Sequence, residues 1–376
     1  MDFNFSEEQV LLRDSISKWA AAEYDFEKRR GFIGNHDVQR KNWTTFAELG
    51  LLAAPFPEEH GGLGGGPVDV LVVMEEFGKA LVVEPYLQTV VLGGGFLKNS
   101  GSVALKDAHI SAIASGERIM AIAYAEPQGR YNLADLATSA RKQGVGYVLN
   151  GHKAVVIGAP LADHLIVSAR TGGGQRDDKG VSLFILPKNA KGVVCRDYVT
   201  MDGFGASEIY FENVALGADA LIGEPDGGLP VLARVFDEGI AALSAEACGV
   251  MRQMHEQTLD YAKTRKQFGV AIGSFQVLQH RMADMFIALE QSVSMSYMAA
   301  LKTDAPDFAR AASAAKAHIG KAGRFVGQSA VQIHGGMGVT DEMRIAHYFK
   351  RATMIDTQFG NADHHIRRYG SLVRAA

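Results

Sequence analysis

The residues best suited to chemistry fall in three stretches. In "GIAALSAEACGV", which starts at Gly239, one carboxylate, Glu246, sits among Ala, Leu, Ile, Val and Cys. A carboxylate in such a run is costly unless it is paired or protonated. Glu246 therefore has three readings: a catalytic base sharpened by an apolar pocket, a hydrogen-bonded core acid, or a pocket liner that selects a polar substrate tail. Asp237 and Glu238, nearer the start of the helix, are weaker candidates for the base, because carboxylates there also serve the helix dipole. The second stretch is "YAKTRKQFG". Arg265 offers a planar, permanently charged fork that matches phosphate oxygens, and Phe268 offers a flat apolar surface. A plainer reading has Lys263, Arg265 and Lys266 as cations at a helix C-terminus. Third is "AVQIHGGMGVTDE", where Gly335 and Gly336 would let a ligand approach the backbone closely. Gln332, like Gln276 earlier in the chain, can donate and accept amide hydrogen bonds. The plainer reading of the glycines is a helix C-cap and turn.

Several other chemistries are disfavoured. "GGLGGG" has no βαβ unit around it, so it reads as a turn-rich loop and not a dinucleotide fingerprint. His364 and His365 are adjacent and lack metal-ligand spacing, so no metal is expected. Cys195 and Cys248 make a disulfide scaffold improbable. A net charge of -4 gives no case for nucleic acid or an anionic membrane. No apolar run has membrane-spanning length, and "MDFNFSEEQV" lacks the marks of a signal peptide. The default expectation is a cytoplasmic protein.

Three regions must position these residues. Residues 1–118 read as helical, with Ser6 and Gln9 forming a capping box and Phe5 stapled onto Val10. Between 119 and 228, short β-branched runs alternate with Gly, Asn and Pro, which predicts a small β domain. Within it "KQGVGYVLNG" is a tight turn and "TGGGQRDDKG" a polar hairpin tip. From 229 to 376, four helical stretches broken at "RKQFGVAIGS", "KTDAPD" and "HGGMGVTDE" predict a bundle. The fold class is thus mainly α with a central β domain.

With "YAKTRKQFG", "QIHGGMG", "PEEHGGLGGG" and "AYAEPQ" in this order, the sequence resembles the acyl-CoA dehydrogenases, which are FAD flavoproteins. The resemblance covers essentially the whole chain. It implies an N-terminal helical domain, a middle β-barrel-like domain and a C-terminal four-helix bundle. It implies FAD contacts from Arg265, Phe268, Gln276, Gln332, Gly335 and Gly336, partly across a subunit interface, and a backbone contact from Ala125. It also implies dehydrogenation of an acyl-CoA to a 2,3-enoyl-CoA, with electrons passed to an electron-transfer flavoprotein. "MDFNFSEEQ", "AEPQGRY", "FQVLQHRMADM" and "HGGMGVTDE" are most similar to the small-subunit type of heteromeric members. That implies a homo-oligomer or a heteromer with a large subunit.

Three departures from the family bear on activity. Ala125 stands where many relatives have a flavin-contacting threonine. In "KAVVIGAP", Val155 and Ile157 replace an aromatic and a hydroxyl beside the flavin. "TQFGN" puts Phe359 where relatives commonly carry the catalytic glutamate, and Gly239 stands at the alternative base position. Two other activities stay open: a non-catalytic FAD-binding subunit, and a flavin monooxygenase or oxidase on the same fold. Glu246 is the expected replacement base.

Overall fold

The computed structural model describes residues 5–375, so the first four residues of "MDFNFSEEQ" lie outside it. Helices α1 (Glu7–Glu23), α2 (Phe26–Phe32), α3 (His36–Glu48), α4 (Pro67–Ala80), α5 (Gly94–Ser100) and α6 (Val103–Ala114) come first. Strands β1 (Met120–Ala123), β2 (Ser139–Gln143), β3 (Gly146–Ile157), β4 (His164–Arg170), β5 (Val181–Pro187), β6 (Val193–Val199), β7 (Gly205–Leu216) and β8 (Leu221–Ile222) follow. The last region holds α7 (Gly228–Thr264), the two-residue strands β9 (Lys266–Gln267) and β10 (Val270–Ala271), α8 (Gln276–Leu301), α9 (Phe308–His334), α10 (Arg344–Thr357) and α11 (Ala362–Ala375). The molecule is mainly α with a central sheet, as its sequence predicts.

By compactness the chain divides into two units. The first gathers residues up to 30, 67–82 and 240–376; the second holds 31–66 and 83–239. In the first unit α4 packs on α1 and α8, and α9 packs on α8, α10 and α11. Glycines set how closely two of its helices approach. A Cβ on Gly249 of α7 would lie 2.0 Å from the Glu75 carbonyl oxygen, and one on Gly78 of α4 would lie 2.1 Å from the Glu246 carbonyl oxygen. The α4 and α7 backbones therefore touch at a crossing that no larger residue fits.

The second unit is built on an eight-stranded sheet with the path β6-β7-β3-β2-β4-β5-β8 and with β1 paired to β4. Its hairpins fall where turn residues predict them. Gly144, at φ +60°, turns β2 into β3, and the polar tip between Arg170 and Val181 joins β4 to β5. Inside the tip the Arg170 guanidinium donates to the carbonyls of Ala134, Gln175, Asp177 and Lys179. Residues Leu87–Gly93 form a buried π-helix, and the Thr89 hydroxyl exchanges hydrogen bonds of 3.0 Å with the backbone of Met120 at the head of β1.

Two local expectations are refined. The capping box at Ser6 forms, but Val10 is 44% exposed, and Phe5 instead stacks on Tyr297 and under Arg13. The last predicted helical stretch is two helices. Phe359 (φ +56°) and Gly360 (φ +110°) both occupy the left-handed region, which no α-helix passes through.

Candidate active site

The "YAKTRKQFG" stretch ends in a miniature hairpin. After α7 ends at Thr264, β9 and β10 pair around Phe268 and Gly269, at φ +54° and +82°. Positive φ at both central residues is the primed turn that matches strand twist. Glycine adopts it freely, whereas phenylalanine does so at a cost. The turn holds the Phe268 ring 93% exposed, with only a T-shaped contact to Phe275 at 6.2 Å. Arg265 has its backbone tied to Tyr261 and Ile272, while its exposed guanidinium makes no ion pair among the described residues. Gln276 opens α8 and is exposed.

The second motif arrives at the same end of the helices. The Tyr261 ring of α7 stacks on His334, the last residue of α9, at 4.2 Å, and the Tyr261 hydroxyl donates to the His334 carbonyl at 3.5 Å. Gly335 follows at φ +63°, and Gln332, Gly335 and Gly336 are all exposed. Gly338 is required by packing, because a Cβ there would meet the Val331 carbonyl oxygen at 2.8 Å. On Gly336 it would meet nothing within 4 Å. The chain's own packing thus does not demand glycine at 336, and that space is open to a molecule from outside. Among the described residues, a guanidinium with no ion pair, an exposed ring, two exposed amides and open backbone suit a large planar ligand bearing phosphates.

Ala125 lies in the second unit, where its carbonyl accepts from Ala154 N–H at 2.9 Å. The next residue, Glu126, is buried and accepts from Lys153 Nζ at 2.7 Å, Ala137 N–H at 2.7 Å and Thr138 N–H at 3.2 Å. Burial pushes the Glu126 carboxyl up, but the Lys153 charge and these hydrogen bonds outweigh it and hold the group below the usual carboxylate range. Burial lowers Lys153 to about 8, against the pull of Glu126. This pair pins the turn that carries Ala125. Two residues after Lys153, Val155 sits at φ +52° in a bulge of β3 and is 44% exposed. A β-branched residue with positive φ is a conformational outlier of the kind found at functional sites.

Glu246 does not sit in a purely apolar setting. Arg351 of α10 grips it with two hydrogen bonds, Nε to Oε1 at 2.5 Å and Nη2 to Oε2 at 2.7 Å. Both residues are buried, at 4% and 2% exposure. Of the three readings, this is the geometry of a satisfied core acid. The premise for a base, an unpaired carboxylate in an apolar pocket, is absent because both oxygens are occupied by a cation. Glu238 is likewise engaged, by Arg234 at 3.1 Å and Asn99 at 3.2 Å, and Asp237 is buried. Phe359, half-buried, presents its carbonyl to His365 Nε2 at 3.0 Å.

The sequence reading missed Arg351 and Lys316. A usable signal existed: Arg351 shares the helical stripe of Tyr348, Ala352 and Ile355, and Lys316 that of Ala312, Ala315 and Ile319, all buried. A cation within an apolar stripe needs a buried acceptor.

Comparison with known proteins bears on all of these elements. Sequence models of the acyl-CoA dehydrogenase N-terminal, middle and C-terminal domains match residues 6–117, 121–214 and 226–370. The chain is 30% identical to a probable acyl-CoA dehydrogenase, YngJ, of Bacillus subtilis over 96% of this chain and 97% of that one. It is 28% identical to a short-chain specific acyl-CoA dehydrogenase of Clostridium acetobutylicum, again over 96% and 97%. Among solved structures, one described under the electron transferring flavoprotein of Acidaminococcus fermentans superposes with TM-score 0.92 at 27% identity, covering 99% of each chain. The FAD complex of PigA gives 0.91 at 26%, covering 100% and 99%. A chain of the ChsE4-ChsE5 complex from Mycobacterium tuberculosis gives 0.89 at 26%, covering 100% of both.

Proposed function

The chain belongs to the acyl-CoA dehydrogenase family, and from that premise we propose that it is the FAD-carrying subunit of an enzyme that dehydrogenates an acyl-CoA between its α and β carbons. Electrons leave to an electron-transfer flavoprotein. One observation carries the reading: the Arg265–Phe268 hairpin and the Gly335–Gly336 turn lie at the same end of the helices, exposed, with no ion pair on Arg265 among the described residues. When bound, FAD supplies the acceptor for the substrate's β-hydride. Arg265 would hold its pyrophosphate, and Phe268, Gln276 and Gln332 would supply an apolar surface and amide hydrogen bonds to it. Gly335 and Gly336 would leave it room, and the family resemblance implies a further backbone contact from Ala125.

Removal of the α proton needs a base that this chain does not present in a familiar place. Phe359 cannot accept a proton, and Glu246 is locked to Arg351. These two facts favour a second reading, in which the chain supplies FAD-binding residues to a larger partner that carries the base. The sequence resemblance to the small-subunit type and the likeness to a chain of the ChsE4-ChsE5 complex support it. The apolar side chains left exposed in the first unit, Phe286, Ile287, Phe325, Met337 and Val339, suit burial against another subunit. Among the described residues no helix is long and apolar enough to cross a membrane, and a cytoplasmic location suits the reading.

The experiment is anaerobic mixing of purified, FAD-loaded chain with butyryl-CoA and longer acyl-CoAs while flavin absorbance is followed. Bleaching by the isolated chain establishes a complete dehydrogenase. Bleaching only after a large subunit is added establishes the second reading. Arg265→Ala should lose roughly ten- to hundredfold in FAD affinity, as expected for one charge-assisted hydrogen bond worth about 1.5–3 kcal/mol. Stoichiometric flavin of unchanged affinity in that variant would exclude Arg265 as the pyrophosphate ligand.

A further inference from the structure

Lys316 of α9 is fully buried, yet among the described residues no carboxylate forms a salt bridge with it. Its ammonium donates to two backbone carbonyls, Asp356 O at 2.9 Å and Gly360 O at 2.7 Å. Those carbonyls flank Gln358 and Phe359, the link between α10 and α11. A third carbonyl in the link, that of Phe359, is held by His365 Nε2 at 3.0 Å. The link is also conformationally demanding. Phe359 stands at φ +56° and Gly360 at φ +110°, and a Cβ on Gly360 would lie 2.5 Å from His364 Cδ2 and 2.9 Å from His365 Nε2. A non-glycine residue keeps such a conformation only when its surroundings over-determine it.

We propose that Lys316 is a positioning residue for the substrate site: by clamping the carbonyls of Asp356 and Gly360 it holds the link left-handed and fixes where the side chain at 359 stands. The proposal rests on the family reading that position 359 faces the acyl-CoA. A buried ammonium spent on two carbonyls is costly as a fastening. An uncharged hydrogen-bonding or apolar residue would fill the same volume more cheaply unless the link must be held against strain. Asp356 itself is turned elsewhere. Its carboxylate accepts from Ala362 N–H at 3.2 Å and pairs with Arg324 at 3.2 Å, so it closes the same link from the other side. Burial lowers Lys316 to about 7, with the Asp356 charge opposing. The other titratable or charged groups around it are Arg324 on its own helix, Asp356 on α10, and His364, His365 and Arg368 on α11. Burial and the neighbouring Lys316 charge keep His365 neutral, at about 3.

The test uses FAD-loaded protein, with any large subunit it needs, and butyryl-CoA as probe. Binding is read from the perturbation of the flavin spectrum, and exchange from the amides of residues 356–362. Phe359→Ala checks the premise: unchanged butyryl-CoA binding there means that position 359 does not face the ligand, and the family reading of that position fails on its own. If Phe359→Ala does alter binding, Lys316→Met should weaken it about tenfold, equivalent to one lost oriented contact, and should deprotect the link amides. FAD content should stay normal. The double variant should then be no weaker than Phe359→Ala alone. Additive losses, or a Lys316→Met protein with native binding and protected amides, would overturn the proposal. Should Lys316→Met fail to fold, Lys316→Gln, which reaches at most one of the two carbonyls, is read by the same measurements and the same criteria.

Discussion

At the scale of single residues, the site is defined by which polar groups the fold has already used. Glu246 and Arg351 pair with each other, whereas the Arg265 guanidinium makes no ion pair among the described residues. Breaking a buried ion pair leaves an uncompensated charge, which typically costs about 3–5 kcal/mol. Glu246→Gln keeps the shape and removes the buried charge that Arg351 pairs with. It should lower the unfolding free energy in urea by an amount of that order, while Glu246→Leu with Arg351→Met should recover most of the loss. If Glu246→Gln protein instead unfolds like wild type and no longer bleaches with acyl-CoA, Glu246 is the base after all. Val155 carries a similar lesson: its residue type gives no hint of the positive φ that its bulge imposes.

Helix crossings set the next scale. Gly78 and Gly249 let α4 and α7 meet backbone to backbone, which places Glu75 of α4 against Arg252 of α7 at 3.4 Å. Around Glu75 and Glu76, the cations Arg13, Lys79 and Arg252 join α1, α4 and α7 in one partly buried network. A methyl at 249 would lie 2.0 Å from a carbonyl oxygen that cannot swing away. Gly249→Ala should therefore destabilise by about 1–3 kcal/mol or more, the range for overpacking a core, and should lower the thermal midpoint. An unshifted midpoint would show that the two helices can separate at no cost. The hairpin and the Gly335 turn differ in kind, because nothing in the chain crowds them.

Two further expectations concern the whole molecule. The exposed apolar side chains of α8, Phe286 and Ile287, predict association: light scattering at micromolar concentration should report at least two chains, and Phe286→Asp with Ile287→Asp should shift the protein toward monomer. A fully FAD-loaded monomer in the unaltered chain would contradict this. The pH dependence follows from histidines kept neutral by the fold. Burial, then the Arg118 charge, lowers His109 to about 4, and burial, then the Lys316 charge, lowers His365 to about 3. In the unfolded chain both return to about 6.5. Between about pH 6.5 and 3 the unfolded state therefore binds more protons than the folded state. This contribution is complete above pH 6.5 and is lost as pH falls through the folded values. The urea midpoint should fall steadily on acidification from pH 7 to 4. A flat profile would mean that the two imidazoles are charged in the folded state.

The order of helical region, sheet and helical region was legible in the sequence because it is written locally, in apolar periodicity and in Gly, Asn and Pro punctuation. So were the turns at Phe268–Gly269 and Gly335, whose residues are neighbours along the chain and need only a short segment to take shape. The fates of Glu246 and Lys316 were not legible. Arg351 reaches Glu246 across 105 residues, and Gly360 reaches Lys316 across 44. A buried charge announces that it needs a partner, but only the packing of one helix against another decides which partner it finds. That packing pairs Glu246 with Arg351 and brings Lys316 to the carbonyls of Asp356 and Gly360.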